Sequence, residues 1–216
     1  MIKVYVLDTE ALIKRDFISL ADGLPFGDAE KTRLLAINNS THKWESLGGL
    51  IALSRLIDKF PIDTHISTEI YRSSNGKPYF NSPVAPFFSI SHSGGIAAAA
   101  MVEYKYGEIG FDIEAVDANY NFDRISARYF TEAERAEINE SKSPAEAFFS
   151  LWTVKEAMAK IGGDGLSSII NKQTDAHRAR THISKLSIDF AGRRAVMSVC
   201  SYVADQAIQI FTDKEV

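Results

Sequence analysis

The sequence predicts an α+β fold built from two similar α/β subdomains related by pseudo-two-fold symmetry, residues 1–104 and 105–216. Three observations predict it. A chain of 216 residues, 45% hydrophobic and 24% charged, is long enough for one large domain or two small ones sharing an interface. Each half runs strand, helix, then strands when read by hydrophobic period. No Gly/Ser-rich or Pro-rich linker, short-period repeat or low-complexity tract separates the halves, so they pack closely with a join near 103–108.

The elements follow in order. MIKVYVLDTE has only a short apolar stretch before Asp8 and Glu10, which predicts a first strand rather than a leader. The longest apolar run, IAAAAMV at 96–102, falls far below the roughly 20 residues that span a bilayer, so a cytoplasmic location with no membrane partner is expected. A polar, irregular region precedes STHKWESLGGLIALSRLIDKF, a helix capped by Ser40 or Thr41 with Leu47, Leu50, Ile51, Leu53 and Ile57 on its apolar face. Gly48 and Gly49 weaken that helix, which predicts a close approach to another element. THISTEIY reads as a strand, GKPYF as a turn into an extended segment, and PFFSIS and IAAAAMVEY as a hairpin broken by HSGG.

The second half opens with GEIGFDIEAV as a strand and a helix from about Phe122 to Arg128. Thr131 and Glu134 form a capping box at the start of TEAERAEINE. SPAEAFFSLWTVKEAMAKIGG is a longer helix, with Ser143 at its start, Pro144 in its first turn and Gly162 and Gly163 at its end. SKLSIDF, RAVMSVCSYVA and QAIQIFTD read as a three-stranded antiparallel meander.

Composition narrows the function. A net charge of −4 argues against a general nucleic-acid binder. Cys200 is alone in a strand-like stretch, which excludes an internal disulfide and disfavours a Cys-based metal site. His42, His65, His177 and His182 show no metal-ligand spacing and read as surface residues.

Three constellations carry chemistry. On the strand IGFDIEAV, Asp112 and Glu114 are two apart and share one face. Buried together they repel unless a cation neutralises them, and Mg2+ suits a pair of carboxylate donors with water and phosphate completing its shell. Taken alone, D-x-E is more often the solvated face of a half-exposed strand. In LWTVKEAMAK, Trp152, Glu156 and Lys160 sit four apart on one helical stripe, able to add a third carboxylate and a phosphate-holding ammonium. Lys155 is one step round that helix, and an ordinary amphipathic helix fits the same pattern. In FSISHSGG, Ser91, His92 and the amides of the glycine turn make an anion cradle, or equally a polar hairpin turn. No acid completes a hydrolytic triad there, and S-H-S is not a nucleophile elbow.

Taken in order, these segments resemble the 4'-phosphopantetheinyl transferases of the larger, single-chain Sfp type. The resemblance rests on Gly76-Lys77-Pro78, Phe88-Ser89-Ile90-Ser91-His92-Ser93, Gly110-Phe111-Asp112-Ile113-Glu114 and the run Trp152 to Lys160. It implies the fold of that family, and transfer of 4'-phosphopantetheine from coenzyme A to a serine of an apo acyl or peptidyl carrier protein, with release of 3',5'-ADP. By this likeness Asp112, Glu114 and Glu156 would bind Mg2+ on the diphosphate, Lys160 and Lys155 would hold phosphate, and Glu156 would be the base for the serine hydroxyl. Ser91 and His92 would contact the 3'-phosphate, and Lys77 and Pro78 would border the adenine. Glu134 falls near a further family acid close to the diphosphate.

The family's basic residue before the L-G-x-L helix aligns with Trp44, so Lys43, one position away, is the candidate substitute, with Lys31 and Arg33 as further options. The alternatives are a non-catalytic coenzyme A or carrier-protein binding module of the same fold and another Mg2+-dependent diphosphate hydrolase. A monomer is expected, because one chain supplies both sides of the cleft. Arg124 and Arg128, one turn apart beside Phe122 and Tyr129, are candidates for docking an acidic carrier. Fatty-acid, polyketide, siderophore and other secondary-metabolite pathways all remain open.

Overall fold

The computed structural model describes residues 1–60, 67–162 and 181–213, so His65, His177 and the helix stop at Gly163 lie outside the described residues. The fold is mixed α+β, with three sheets among the described residues. The first strand, β1 (Ile2–Asp8), is almost wholly buried because it lies inside a four-stranded sheet rather than at its edge.

The segment after β1 is helical where its sequence reads as irregular. It forms α1 (Thr9–Leu12), α2 (Phe17–Asp22) and α3 (Asp28–Leu35). Each spans about two turns or fewer, too short for a 3.6-residue period to emerge, and helices of that length depend on tertiary packing. Leu12, Ala21, Phe26 and Leu34 supply it by entering the core. The carboxylates of Asp8 and Asp16 cap the first two by accepting from the backbone N–H groups of Glu10 and Ser19.

The long helix α4 (Ser40–Ile57) is capped one residue earlier than Ser40, by Asn39, whose side chain accepts from the His42 N–H. Gly48 and Gly49 are required by proximity. A Cβ on Gly48 would stand 2.8 Å from Thr9 Cγ2 and 2.9 Å from Ala97 Cβ, and one on Gly49 would collide with Ile90 Cγ2. The two glycines therefore let α4 lie directly on the sheet.

Strands β2 (Ile70–Arg72) and β3 (Pro78–Phe80) form a separate antiparallel ribbon. Of the stretch THISTEIY, strand structure among the described residues begins only at Ile70. Strands β4 (Phe87–Ser93) and β5 (Ile96–Val102) make the expected hairpin, turning through Gly94 and Gly95, both at positive φ. A 3-10 turn at Tyr104–Tyr106 leads into β6 (Ile109–Ala115). Next come α5 (Asp123–Tyr129) and α6 (Glu132–Glu140), where the Thr131–Glu134 capping box is present. The helix α7 (Pro144–Gly162) precedes the hairpin β7 (His182–Phe190) and β8 (Arg193–Ser201).

The third strand of the anticipated meander goes elsewhere. β9 (Ile208–Thr212) runs parallel to β1, with Ile2 opposite Ile208 and Val6 opposite Thr212. β8 already has β6 on one side and β7 on the other, so no edge beside it is open, whereas β1 offers one. The two larger sheets otherwise share one plan. In the order β4-β5-β1 and in the order β7-β8-β6, the leading strand pairs antiparallel with the second strand of the hairpin that follows it. In each, a long helix, α4 or α7, intervenes in sequence.

The alternation of β1 and β5 explains why Ile96–Val102 is apolar throughout. Tyr5, Leu7, Ala97, Ala99 and Met101 face α4, while Val4, Val6, Ala98 and Ala100 pack on Ile109, Phe111, Ile113, Met197 and Val199 of the other sheet. Both faces are covered, and the alanines keep the layers thin. On the far side α7 crosses β6 at Gly110, where a Cβ would overlap the Ala157 carbonyl oxygen. That glycine sets the distance between the strand bearing Asp112 and Glu114 and the helix bearing Glu156 and Lys160.

Candidate active site

Strand β4 runs alongside β6, and its alternation points Ser89, Ser91 and Ser93 at that strand. Ser89 Oγ accepts from the Phe111 N–H at 3.1 Å and lies 3.3 Å from the Phe111 carbonyl. Ser91 Oγ donates to Asp112 Oδ1 at 2.6 Å, and Ser93 Oγ donates to Glu114 Oε2. The hydroxyl ladder thus sets the level of each β6 acid.

Lys160 enters from α7. Its ammonium donates to Asp112 Oδ1 at 2.7 Å and to Ser91 Oγ at 3.0 Å. Asp112 is buried, at 3% exposure, and its second oxygen, Oδ2, has no hydrogen-bond partner among the described residues. An orphaned carboxylate oxygen in such a place is costly unless something else engages it. Glu114 and Glu156 complete the acidic group. Burial, then the Asp112 charge, pushes the Glu114 carboxyl up to about 7 against the Ser93 bond and the Lys160 charge. Burial and Asp112 likewise push Glu156 up to about 7, with Lys160 opposing.

All three acids, Lys160, Ser91 and His92 line one cleft of about 400 Å3, with Pro78 and Ile90 at its edge. Among the described residues no three carboxylate, imidazole or thiolate groups are gathered closely enough to cage a metal by themselves. The reason is physical. Three like charges do not crowd together without a cation, and Lys160 occupies one Asp112 oxygen. The donor set still fits Mg2+, which takes one or two carboxylates and draws its remaining ligands from water and substrate phosphate. The orphaned Asp112 Oδ2 is the oxygen best placed to serve.

The rest of the cleft is basic. Arg33 and Arg72 line it, held by the buried carboxylate of Glu30, which accepts from Arg33 Nε at 2.8 Å and from Arg72 Nε at 2.7 Å. His42 and His92 line it too, with ring centroids 5.2 Å apart. His42, which reads from sequence as a plain surface residue, is exposed but faces this cleft. His182 is exposed on β7.

Two expected contacts, those of Lys43 and Lys155, sit elsewhere. Lys43 directs its ammonium to the Leu35 carbonyl at 3.2 Å and over the Phe17 ring, away from the cleft lining. Its neighbour Trp44 packs edge-on against the same ring. Lys155 is 3% exposed, pairs with Glu134 Oε1 at 2.9 Å, and lies over the Phe130 ring. Its ammonium is therefore committed inside the fold. Lys77 donates to Glu108 at 2.6 Å and to the Ile161 carbonyl at 2.9 Å, near the C-terminal end of α7. A cavity lined by Lys77, Pro78, Phe88, Ser89 and Ile90 adjoins the cleft at Glu156 and Lys160.

Four residues outside the sequence reading or at its margin belong here: Arg72 and Arg33, which line the cleft, and Ser93 and Glu45, which respectively bond to Glu114 and contact His92 behind its lining. The i, i+2 spacing of Ser89, Ser91 and Ser93 is the signal for Ser93. Arg72 carries none, since its place depends on the ribbon β2–β3 folding over Glu30.

Residues 108–211, which run from β6 to β9, match the family described as the 4'-phosphopantetheinyl transferase superfamily. Among individual proteins, the chain is similar to 4'-phosphopantetheinyl transferase AcpT of Salmonella typhimurium, at 31% identity over 128 residues, 58% of this chain and 62% of the relative. AcpT of Escherichia coli is 29% identical over 133 residues, 61% of this chain and 64% of the relative. 4'-Phosphopantetheinyl transferase HetI of Nostoc sp. is 33% identical over 103 residues, 44% of this chain and 42% of the relative. The chain thus spans less than two thirds of the length of these curated relatives. No described helix is long and apolar enough to cross a membrane.

Proposed function

We propose that the protein is an Sfp-type, Mg2+-dependent 4'-phosphopantetheinyl transferase, moving phosphopantetheine from coenzyme A to a serine of an apo acyl or peptidyl carrier protein. The observation that carries this reading is the convergence of Asp112, Glu114, Glu156, Lys160, Ser91 and His92 on one cleft. The superfamily match across β6–β9 and the named transferase relatives support it. In this reading residues 1–104 supply the 3'-phosphate and adenine side and residues 105–216 the metal and carrier side, with β9 returning to the first sheet. The protein acts as a cytoplasmic monomer.

The roles follow from position. Arg33, Arg72, Ser91 and His92 bind the 3'-phosphate, the two arginines taking the place expected of Lys43. Lys77 and Pro78 border the adenine. Asp112, Glu114 and Glu156 hold Mg2+, which when bound neutralises charge on the diphosphate and its leaving group. Lys160 binds a diphosphate oxygen. Lys155 acts one step removed, holding Glu134 and with it the start of α6. Glu156 takes the proton of the serine hydroxyl directly or through a water. The serine oxygen forms a bond to the β-phosphorus as the bond to 3',5'-ADP breaks, and no covalent enzyme intermediate is required. A second cavity of about 600 Å3 meets the cleft at Glu114, walled by Tyr120, Phe148, Phe149 and Trp152, and gives the pantetheine arm or the carrier a route in. Arg124 and Arg128, exposed on α5, face an acidic carrier.

The test incubates the protein with coenzyme A, Mg2+ and a panel of apo-carriers and weighs the carriers. A gain equal to one phosphopantetheine is expected, and no gain on any carrier from folded protein refutes the reading. Release of 3',5'-ADP without a carrier would identify a hydrolase instead. Tight coenzyme A binding without turnover would identify a binding module.

A further inference from the structure

Glu45 is a carboxylate on α4, 9% exposed, that the roles above leave unused. Its Oε1 accepts from the Gly95 N–H at 3.0 Å, and its Oε2 stands 3.3 Å from His92 Nδ1. Burial opposes its ionisation. The bonds from His92 and Gly95, with the charges of His92 and His42, outweigh that and hold the carboxyl below the usual carboxylate range. Glu45 is therefore an anion at neutral pH, and an anion has no proton to give. The proton in the contact must sit on Nδ1 of His92, which leaves Nε2 as the ring nitrogen available to a ligand in the cleft. The His42 ring packs against the imidazole and limits its rotation.

We infer that Glu45 is a positioning residue that gives this site its preference for the 3'-phosphate of coenzyme A, acting through His92. An acid on the wall of an anion site would by its own charge repel phosphate. It helps only through His92, by accepting from Nδ1–H and so aiming the Nε2 edge into the cleft, where an Nε2–H can donate to phosphate. The same carboxylate pins the Gly94–Gly95 turn, so the histidine and the turn beside it share one anchor. The inference rests on the proposed 3'-phosphate site and deepens it.

The experiment measures binding of coenzyme A and of 3'-dephospho-coenzyme A by calorimetry, so no carrier or turnover is involved. The proteins compared are wild type, Glu45→Gln, His92→Ala and the double variant. Glu45→Gln keeps the side chain's size and an acceptor for the Gly95 N–H while removing the charge and the acceptor for His92 Nδ1–H, and its melting temperature reports whether the fold survives. Wild type should prefer coenzyme A. Glu45→Gln should cut that preference by about tenfold, the scale of one charge-assisted hydrogen bond, with affinity for the dephospho form unchanged. The double variant should be no weaker than His92→Ala alone. Nitrogen-15 spectra of ligand-free protein should show the His92 proton on Nδ1 in wild type.

Equal weakening of both ligands in Glu45→Gln, additive losses in the double variant, or a wild type without preference for the 3'-phosphate each overturns the inference. Absence of carrier modification together with an intact, Glu45-dependent preference would instead overturn the transferase reading and leave the inference standing.

Discussion

Replacing Glu114 and Glu156 by glutamine together should flatten the pH dependence of stability in metal-free protein. Both carboxyls are raised in the folded state from the ordinary value of 4.5 to about 7. Between those values the folded protein binds more protons than the unfolded chain. Stability from these groups is therefore complete below pH 4.5 and is lost as pH rises through 7. A shift of that size corresponds to about 3 kcal/mol for one group. The two acids share Asp112 as a repulsive neighbour, so a single group's worth is taken for the pair. In a chain of this size about 3 kcal/mol moves the melting temperature by roughly 6–12 °C.

The assay is thermal melting in EDTA from pH 5 to 8. That window stays above the range in which Glu30, Glu45 and Glu134, all held low, would lose their own contributions as pH falls. Wild type should lose stability across it, and Glu114→Gln/Glu156→Gln should lose about 6–12 °C less. Parallel profiles for the two proteins would refute the claim that these acids are strained together around Asp112.

Three further outcomes follow from the packing and the surface. Gly110→Ala should destabilise by about 3 kcal/mol or more in denaturant unfolding, because the new methyl meets the Ala157 carbonyl and backbone cannot yield as a side chain would; a neutral effect would show that α7 moves freely on β6. Lys155→Met should cost about 3 kcal/mol by leaving Glu134 buried without its ammonium, while coenzyme A affinity changes little; a large affinity loss with stability intact would restore Lys155 as a direct ligand. Reversing Arg124 and Arg128 to glutamate should raise KM for an acidic carrier about tenfold at low salt and leave KM for coenzyme A unchanged, and equal KM for the carrier would remove α5 from the docking surface.

The local periods made most elements legible. The short apolar or alternating runs at β1, β4, β5 and β6, the capping box at Thr131 and the long stripe of α7 are visible in sequence because each is set by neighbours within a few residues. Gly48 and Gly49 announced a close contact by breaking helix propensity where the apolar face was strongest. What escaped was non-local. β9 is an ordinary strand by pattern, and its pairing with β1 depends on β8 having no open edge. The helices α1 to α3 are too short to show a period.

The site divides in the same way. Asp112, Glu114, Glu156, Lys160, Ser91 and His92 lie in compact motifs, so spacing on β4, β6 and α7 raised them as candidates, and the resemblance of four ordered segments set them above a solvated strand face, an amphipathic helix and a polar turn. The basic wall did not emerge in this way, because it is assembled by Glu30 reaching Arg72 across 42 positions of sequence. Gapless alignment puts Trp44 at that position and leaves Lys43 beside it as the candidate, whose side chain the Leu35 carbonyl and Phe17 draw aside. The fate of Lys155 was hidden too, since only the fold brings Glu134 beneath it.

The central claim is that Asp112, Glu114 and Glu156 act with the diphosphate of coenzyme A to bind one divalent ion. Its most direct measurement is calorimetric titration of Mg2+ into protein saturated with coenzyme A, for wild type and for Asp112→Ala and Glu156→Ala. One ion per chain should bind to wild type, with affinity reduced on the order of a hundredfold in each variant and the fold intact by circular dichroism. Unchanged Mg2+ affinity in both variants would contradict the claim.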